Sequence, residues 1–220
     1  MIIYMEQTGQ AHHNARCGNR TSAIMDAEEN SNHYRYIWKA NKMLINSKKA
    51  EESAILNLAY SICAAVRTAP KACGIDHIET LILTGEDIGR ITAEMRKIGE
   101  THGVSGKFFC RDADNVDASG AVVIIGVKYE TRGLNEKCKL CGFENCAACD
   151  KAGATCVFAS MDLGIALGSA VSLVADNRID NRIMFTIGQA TAKLGLLGEH
   201  KLIMGIPLSA SGKSVFYDRT

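Results

Sequence analysis

The sequence predicts an α/β (α+β) fold, a sandwich of helices packed on a central sheet, and three observations carry that prediction. From Ser47 onward Ile55, Leu58, Ile62, Ala65, Val66 and Ala69 recur at helical spacing. The run AVVIIGV, Ala121 to Val127, is apolar without a break, as expected of a strand covered on both faces. Helical and strand-like segments also interleave along the chain instead of falling into separate halves.

The elements follow in order. Residues 1–42 show no sustained period of two or 3.6 and are rich in Asn, His and Arg, so they read as an irregular N-terminal extension, with Met43 as a second candidate start. His12 and His13 there read as solvated, and Trp38, Tyr34 and Tyr36 as anchors for its last part. Residues 43–220 read as a single domain with a cysteine-rich segment at about 130–160. Its first helix starts behind a cap at Ser47, carries Glu51 and Glu52 early, and stops at Pro70. Ile78 to Thr84 reads as a strand closed by Gly85, and Ile88, Ile91, Met95 and Ile98 mark an amphipathic helix ending at Gly103. Ala121 to Val127 is the central strand. Met161 to Ala175 is apolar almost all round, which predicts a buried helix. Gly164 and Gly168 on it would let a neighbouring helix or a planar ligand approach closely. A helix over Ile183 to Leu194 stops at Gly195, and Lys201 to Pro207 is a last buried strand.

Composition narrows the function classes. The chain has 220 residues and is 47% apolar, ample for a core. With 25 basic and 24 acidic residues its net charge is +1, so no strong field favours nucleic acid or an anionic membrane. No run approaches the length of about 20 apolar residues that spans a bilayer, and no signal-peptide layout opens the chain. The expectation is a cytoplasmic protein.

Nine cysteines remain unexplained by composition, five of them between Cys138 and Cys156. An odd count without an export signal argues against a disulfide framework and for metal. Cys17, Cys63, Cys73 and Cys110 have no neighbour at ligand spacing and read as ordinary small apolar residues. The run CKLCGFENCAAC, Cys138 to Cys149, followed by Cys156, has the dense spacing of a thiolate site, with Gly142 letting the backbone fold around it. Only four residues separate Cys141 from Cys146, short for the two independent knuckles of a structural zinc site. A cubane iron-sulfur cluster, whose four irons each take one thiolate, suits that spacing better than zinc. Cys138, Cys141 and Cys146 form the compact triad. Cys149 and Cys156 compete as fourth ligand, with Cys156 preferred because it enters from the start of the apolar helix.

CKLCGFENC resembles the C-x2-C-G-x3-C element of the 4Fe-4S domain of corrinoid iron-sulfur proteins and of ion-pumping ferredoxin oxidoreductase B subunits, where a later cysteine completes the set. Together with TAPKACGIDHIETLILTG, MDLGIALGSAV, IDNRIMFTIGQA and GIPLSASGKSVFYDR, the chain from about Met43 onward resembles the bacterial and archaeal ferredoxin-domain-containing proteins of unknown function. The order of its segments is also similar to a divergent nitroreductase, which implies a three-layer sandwich with a mixed central sheet and an inserted cysteine-rich iron-sulfur loop. That resemblance implies a flavoprotein homodimer with FMN at the subunit interface. It makes Arg67, Lys71 and Arg219 candidates to neutralise a flavin phosphate and the Gly164/Gly168 face a candidate floor for the ring. The arginine-serine-arginine start of ordinary nitroreductases is replaced here by MLINSKKAEES.

SASGKS, Ser209 to Ser214, differs from a phosphate-binding P-loop, which needs a glycine at the position of Pro207 and a helix after the lysine. His77, His102 and His200 have no sequence-level partner, and no acid–base pair stands out. The expected function is that of a 4Fe-4S redox protein, an electron carrier or an oxidoreductase of unknown substrate, flavin-assisted if FMN binds. Its partner would be a redox protein or a small molecule. The alternative is a non-catalytic binding or sensor module stabilised by an iron-sulfur cluster or by zinc.

Overall fold

A computed structural model of the chain describes residues 44–200 and 202–217. The expected extension 1–42, with Cys17, His12, His13 and its aromatic residues, lies outside the described residues, as do Met43, Lys201 and Arg219.

Helix α1, Ser47–Thr68, is capped by Asn46, one residue before the expected serine: the Asn46 Oδ1 accepts from the Lys49 N–H at 2.9 Å. It stops at Ala69, ahead of Pro70. Strand β1, Ile78–Leu83, leads through Gly85 into α2, Glu86–Thr101. A 3-10 turn, Gly103–Gly106, then opens α3, Lys107–Asp117, a helix absent from the sequence reading. Strand β2, Ala121–Val127, is buried at all seven residues. After the cysteine-rich segment come α4, Cys146–Lys151, α5, Val157–Asp176, and the two-residue strand β3, Asp180–Asn181. Helix α6, Phe185–Lys193, and strand β4, Leu202–Ser209, complete the order.

The sheet runs β1-β2-β4-β3 and is antiparallel throughout, not mixed. The unforeseen α3 is the reason for the first pairing. One helix between β1 and β2 would return the chain for a parallel strand, whereas the α2–α3 hairpin brings it back reversed. Ile78 therefore lies opposite Val127 and Leu83 opposite Val122. On its other edge β2 pairs with β4, Ala121 opposite Leu208 and Val127 opposite Leu202.

Three layers result. The period-two alternation of β2 sends Val123, Ile125 and Val127 to a core shared with α1 and α5, where Ile62, Leu163 and Ala166 meet Ile206 and Leu208 of β4. Val122 and Ile124 face the opposite core, with Ile91 and Met95 of α2, Phe109 and Val116 of α3, and Ile187 of α6. Each fully buried aliphatic side chain of this kind contributes about 1.5–3 kcal/mol. Helix α6 lies close on β4 because glycines face each other's chains there: a methyl group at Gly188 would overlap the Ile203 carbonyl, and one at Gly205 the Ile187 side chain.

Two expectations fail on α5. It is 20 residues long and apolar enough by length and composition to cross a membrane, so a segment of that kind does exist. It serves here as a packing helix, with buried Asp162, Leu163, Ala166, Ala170 and Val174 on its inner side. Nor is it buried all round: Met161, Gly164, Ile165 and Gly168 are exposed. The sequence pattern misleads because small and apolar residues fill the outer face as well as the inner one.

Candidate metal centre

Beyond β2 the chain enters a loop with several left-handed residues, Gly133 (φ 68°), Asn135 (φ 51°), Lys139 (φ 50°) and Gly142 (φ 82°). Residues with a Cβ enter this region at a cost, and asparagine and lysine hold it here on either side of Cys138. Gly142 does so freely and reverses the chain after Cys141, its N–H donating to the Lys139 carbonyl at 3.0 Å. Asn145 then caps α4, its Oδ1 accepting from the Ala148 N–H at 2.9 Å, so Cys146 opens that short helix. Cys156 sits one residue before α5 as its cap position.

These turns bring Cys138, Cys141, Cys146 and Cys156 to one narrow cleft. The first three are half-buried and Cys156 is buried. The Asn135 backbone N–H donates to Cys146 Sγ at 3.2 Å, the kind of bond that favours an anionic sulfur. Cys156 adjoins the unpaired N–H groups of the first turn of α5, where negative charge is also favoured. Phe143 and Phe158 close the apolar part of the wall.

Cys149 does not line the cleft. It is fully buried, and its Sγ donates to the Ala154 carbonyl at 3.6 Å. Burial pushes its thiol up to about 11, helped by a hydrogen bond with Cys141 and the negative charges that Cys141, Cys156 and Asp150 can carry. A free Cys149 is therefore protonated at neutral pH. Among the described residues no three Cys, His, Asp or Glu side chains gather tightly enough to hold a single ion. Four thiols spread around one cleft, with an amide donor on one of them, fit a group with several metal atoms and one thiolate on each.

The structure also holds charged residues at the cleft that spacing did not reveal. Arg132 and Asp162 form an ion pair at 2.8 Å, their side chains 1% and 2% exposed. Asp162 accepts from the Ala72 N–H at 2.9 Å through its other oxygen. Arg132 lines the cleft, donates to the Glu130 carbonyl at 2.7 Å and lies 3.1 Å from His77 Nδ1. The available signal was Asp162 itself, a lone carboxylate in MDLGIALGSAV, because a charge on an apolar helix needs a buried partner.

Of the residues assigned to a flavin phosphate, Arg67 and Lys71 make bonds within the chain, while Arg219 lies outside the described residues. Lys71 donates all three N–H groups to the end of α1, to Val66 O at 3.0 Å, Arg67 O at 2.8 Å and Ala69 O at 2.9 Å. Arg67 pairs with Asp76 at 2.5 Å and donates to the Ile78 carbonyl at 3.1 Å. Burial would raise the Asp76 carboxyl. The Arg67 hydrogen bond, the Ile78 N–H and the charges of Lys71 and Arg67 outweigh it and hold the group below the usual range. Gly164 and Gly168 face outward, with nothing within 4 Å of an added Cβ. Lys71, with all three N–H groups engaged, does not fit the role of a free donor to phosphate oxygens, whereas Arg67 bonds through NH1 alone.

The family described as uncharacterized protein containing a ferredoxin domain (DUF2148) matches residues 152–219, which include Cys156 and α5. An uncharacterized protein of Archaeoglobus fulgidus is 42% identical over 186 residues, 80% of this chain and 98% of its own length. Among solved structures, the Lactococcus lactis nitroreductase CinD, in complex with nicotinic acid, aligns at TM-score 0.49 and 16% identity, over 80% of this chain and 86% of its own. A Desulfitobacterium hafniense nitroreductase with bound FMN aligns at 0.47 and 12%, over 79% and 82%. Nitroreductase A of Vibrio parahaemolyticus aligns at 0.45 and 12%, over 79% of this chain but only 62% of its own. On the full-length relationship to the archaeal protein and the matched C-terminal part, the chain belongs to the family of uncharacterized proteins containing a ferredoxin domain.

Proposed function

We propose that this protein is a 4Fe-4S redox protein whose cluster is held by Cys138, Cys141, Cys146 and Cys156. The observation that carries the reading is the cleft those four thiols line, with Cys149 buried behind it and bonded to the Ala154 carbonyl. When bound, such a cluster supplies one-electron transfer. The chain's own part is to hold the thiolates, with the Asn135 N–H on Cys146 and the α5 terminus beside Cys156. Phe143 and Phe158 keep water from the inner wall, and the electron partner is a redox protein or a small molecule. With a net charge of +1, that partner is selected by local contacts rather than by long-range steering.

The test is metal and sulfide analysis of protein purified without oxygen, together with single serine variants. Roughly four irons per chain and an absorbance near about 400 nm bleached by dithionite are expected. Cys156→Ser loses the iron, whereas Cys149→Ser keeps it. One zinc and no colour would replace this reading by that of a zinc-stabilised module, and iron lost only with Cys149→Ser would move the fourth ligand.

A further inference from the structure

Arg132 is the one cationic side chain that is both buried and in the wall of the cysteine cleft; Lys139, the other basic residue there, is exposed. Its guanidinium is held on two sides. NH2 reaches Asp162 at 2.8 Å, and NH1 reaches the Glu130 carbonyl at 2.7 Å and His77 Nδ1 at 3.1 Å. The remaining edge carries the Nε–H, which is buried and has no hydrogen-bond partner. A buried donor left unpaired is costly, so native structures rarely keep one unless water or a ligand supplies the acceptor. Ion pairing explains one face of the guanidinium and leaves this N–H unexplained. The cleft it borders is lined by four thiols, whose metal-bound sulfurs would be anionic acceptors.

We propose that Arg132 is a positioning and tuning residue for the cysteine centre. Its Nε–H donates to a cluster sulfur, and Asp162 is the counter-charge that limits how far the guanidinium stabilises the reduced state. The proposal rests on the iron-sulfur reading above. The sign follows from charge. Reduction adds one electron, so a cationic donor favours the reduced form and raises the potential, while the carboxylate opposes it. Because Asp162 also accepts from the Ala72 N–H, the same pair ties the centre to the loop that follows α1.

The test uses the anaerobically loaded full chain, with potentials from a dye-mediated titration followed by EPR. Asp162→Asn removes the counter-charge and should raise the potential. The double variant Arg132→Gln, Asp162→Asn keeps a neutral hydrogen-bonding pair and the same net charge but replaces the cationic donor by a neutral amide. Its potential should fall below that of the parent, with a reduced-to-oxidised ratio lower by about tenfold at fixed potential, 59 mV for one electron. Fully loaded variants with unchanged potential, or both shifted in one direction, would overturn the assignment. A second measurement needs no variant. In the parent protein grown on arginine labelled with 15N in the guanidino group, pulsed EPR of the reduced centre should show a 15N coupling, and its absence would also overturn the assignment. Parent protein without iron would refute the iron-sulfur reading itself, which is a distinguishable result.

Discussion

Replacing Lys71 by methionine separates two roles that sequence and structure assign to the same side chain. The side chain is 5% exposed and its ammonium donates to three carbonyls at the end of α1, groups that the helix itself leaves unpaired. Hydrogen bonds involving a charged group contribute about 1.5–3 kcal/mol net. A cation at a helix C-terminus adds about 0.3–1 kcal/mol from the macrodipole. The two descriptions overlap, and removing the ammonium's own desolvation cost offsets part of the loss, so Lys71→Met should destabilise the fold by about 2–3 kcal/mol. Methionine keeps most of the stem volume, so little of the change comes from packing. With a urea slope of about 2 kcal/mol/M, the unfolding midpoint should drop by about 1–1.5 M without a change in slope. The assay is equilibrium urea unfolding of flavin-free protein, followed by circular dichroism. A loss below about 0.5 kcal/mol would refute the capping role and release the ammonium for an anionic ligand, as the nitroreductase resemblance first suggested.

Two other outcomes follow from the packing and from the charges around α1. Gly188→Ala places a methyl on the Ile203 carbonyl, where backbone rather than a flexible side chain must move, and should cost at least about 1–3 kcal/mol in the same assay. Asp76 is held below its ordinary value of 3.8, so its contribution is fully present above that value and is lost as pH falls through the lower folded one. Acid titrations of stability should therefore show a slope beginning below about pH 4 that Asp76→Asn reduces, and an unchanged slope would count against the Arg67–Asp76–Lys71 group.

That Cys138, Cys141 and Cys146 border one cleft was legible because spacing is local: the three sit within nine residues of chain, and turn-forming Gly142 and Asn145 are visible beside them. The choice between Cys149 and Cys156 was weaker in sequence, since both lie a few residues further on. In the fold α4 buries the first against Ala154, while the start of α5 sets the second in the wall of the cleft. Arg132 and its partners were out of reach. Asp162 is 30 residues away and His77 is 55, and nothing in the local pattern joins them.

By itself the sequence determined which segments are apolar on one side or on both, and therefore α1, α2, α5, α6, β1, β2 and β4, with ends off by a few residues. Periodicity is a property of the nearest neighbours along the chain, so it survives without knowledge of the fold. Helix α3 escaped because charged residues dominate KFFCRDADNVD, although Phe109, Ala113 and Val116 mark its inner face. That single omission hid the antiparallel β1–β2 pairing, since strand direction depends on how many helices intervene. Tertiary structure alone decided which thiols share a cleft, which lysine caps a helix and which arginine is buried beside the cysteines. Those outcomes depend on closing loops and desolvating charges between distant segments, and the free energy of each is set only when the partners meet.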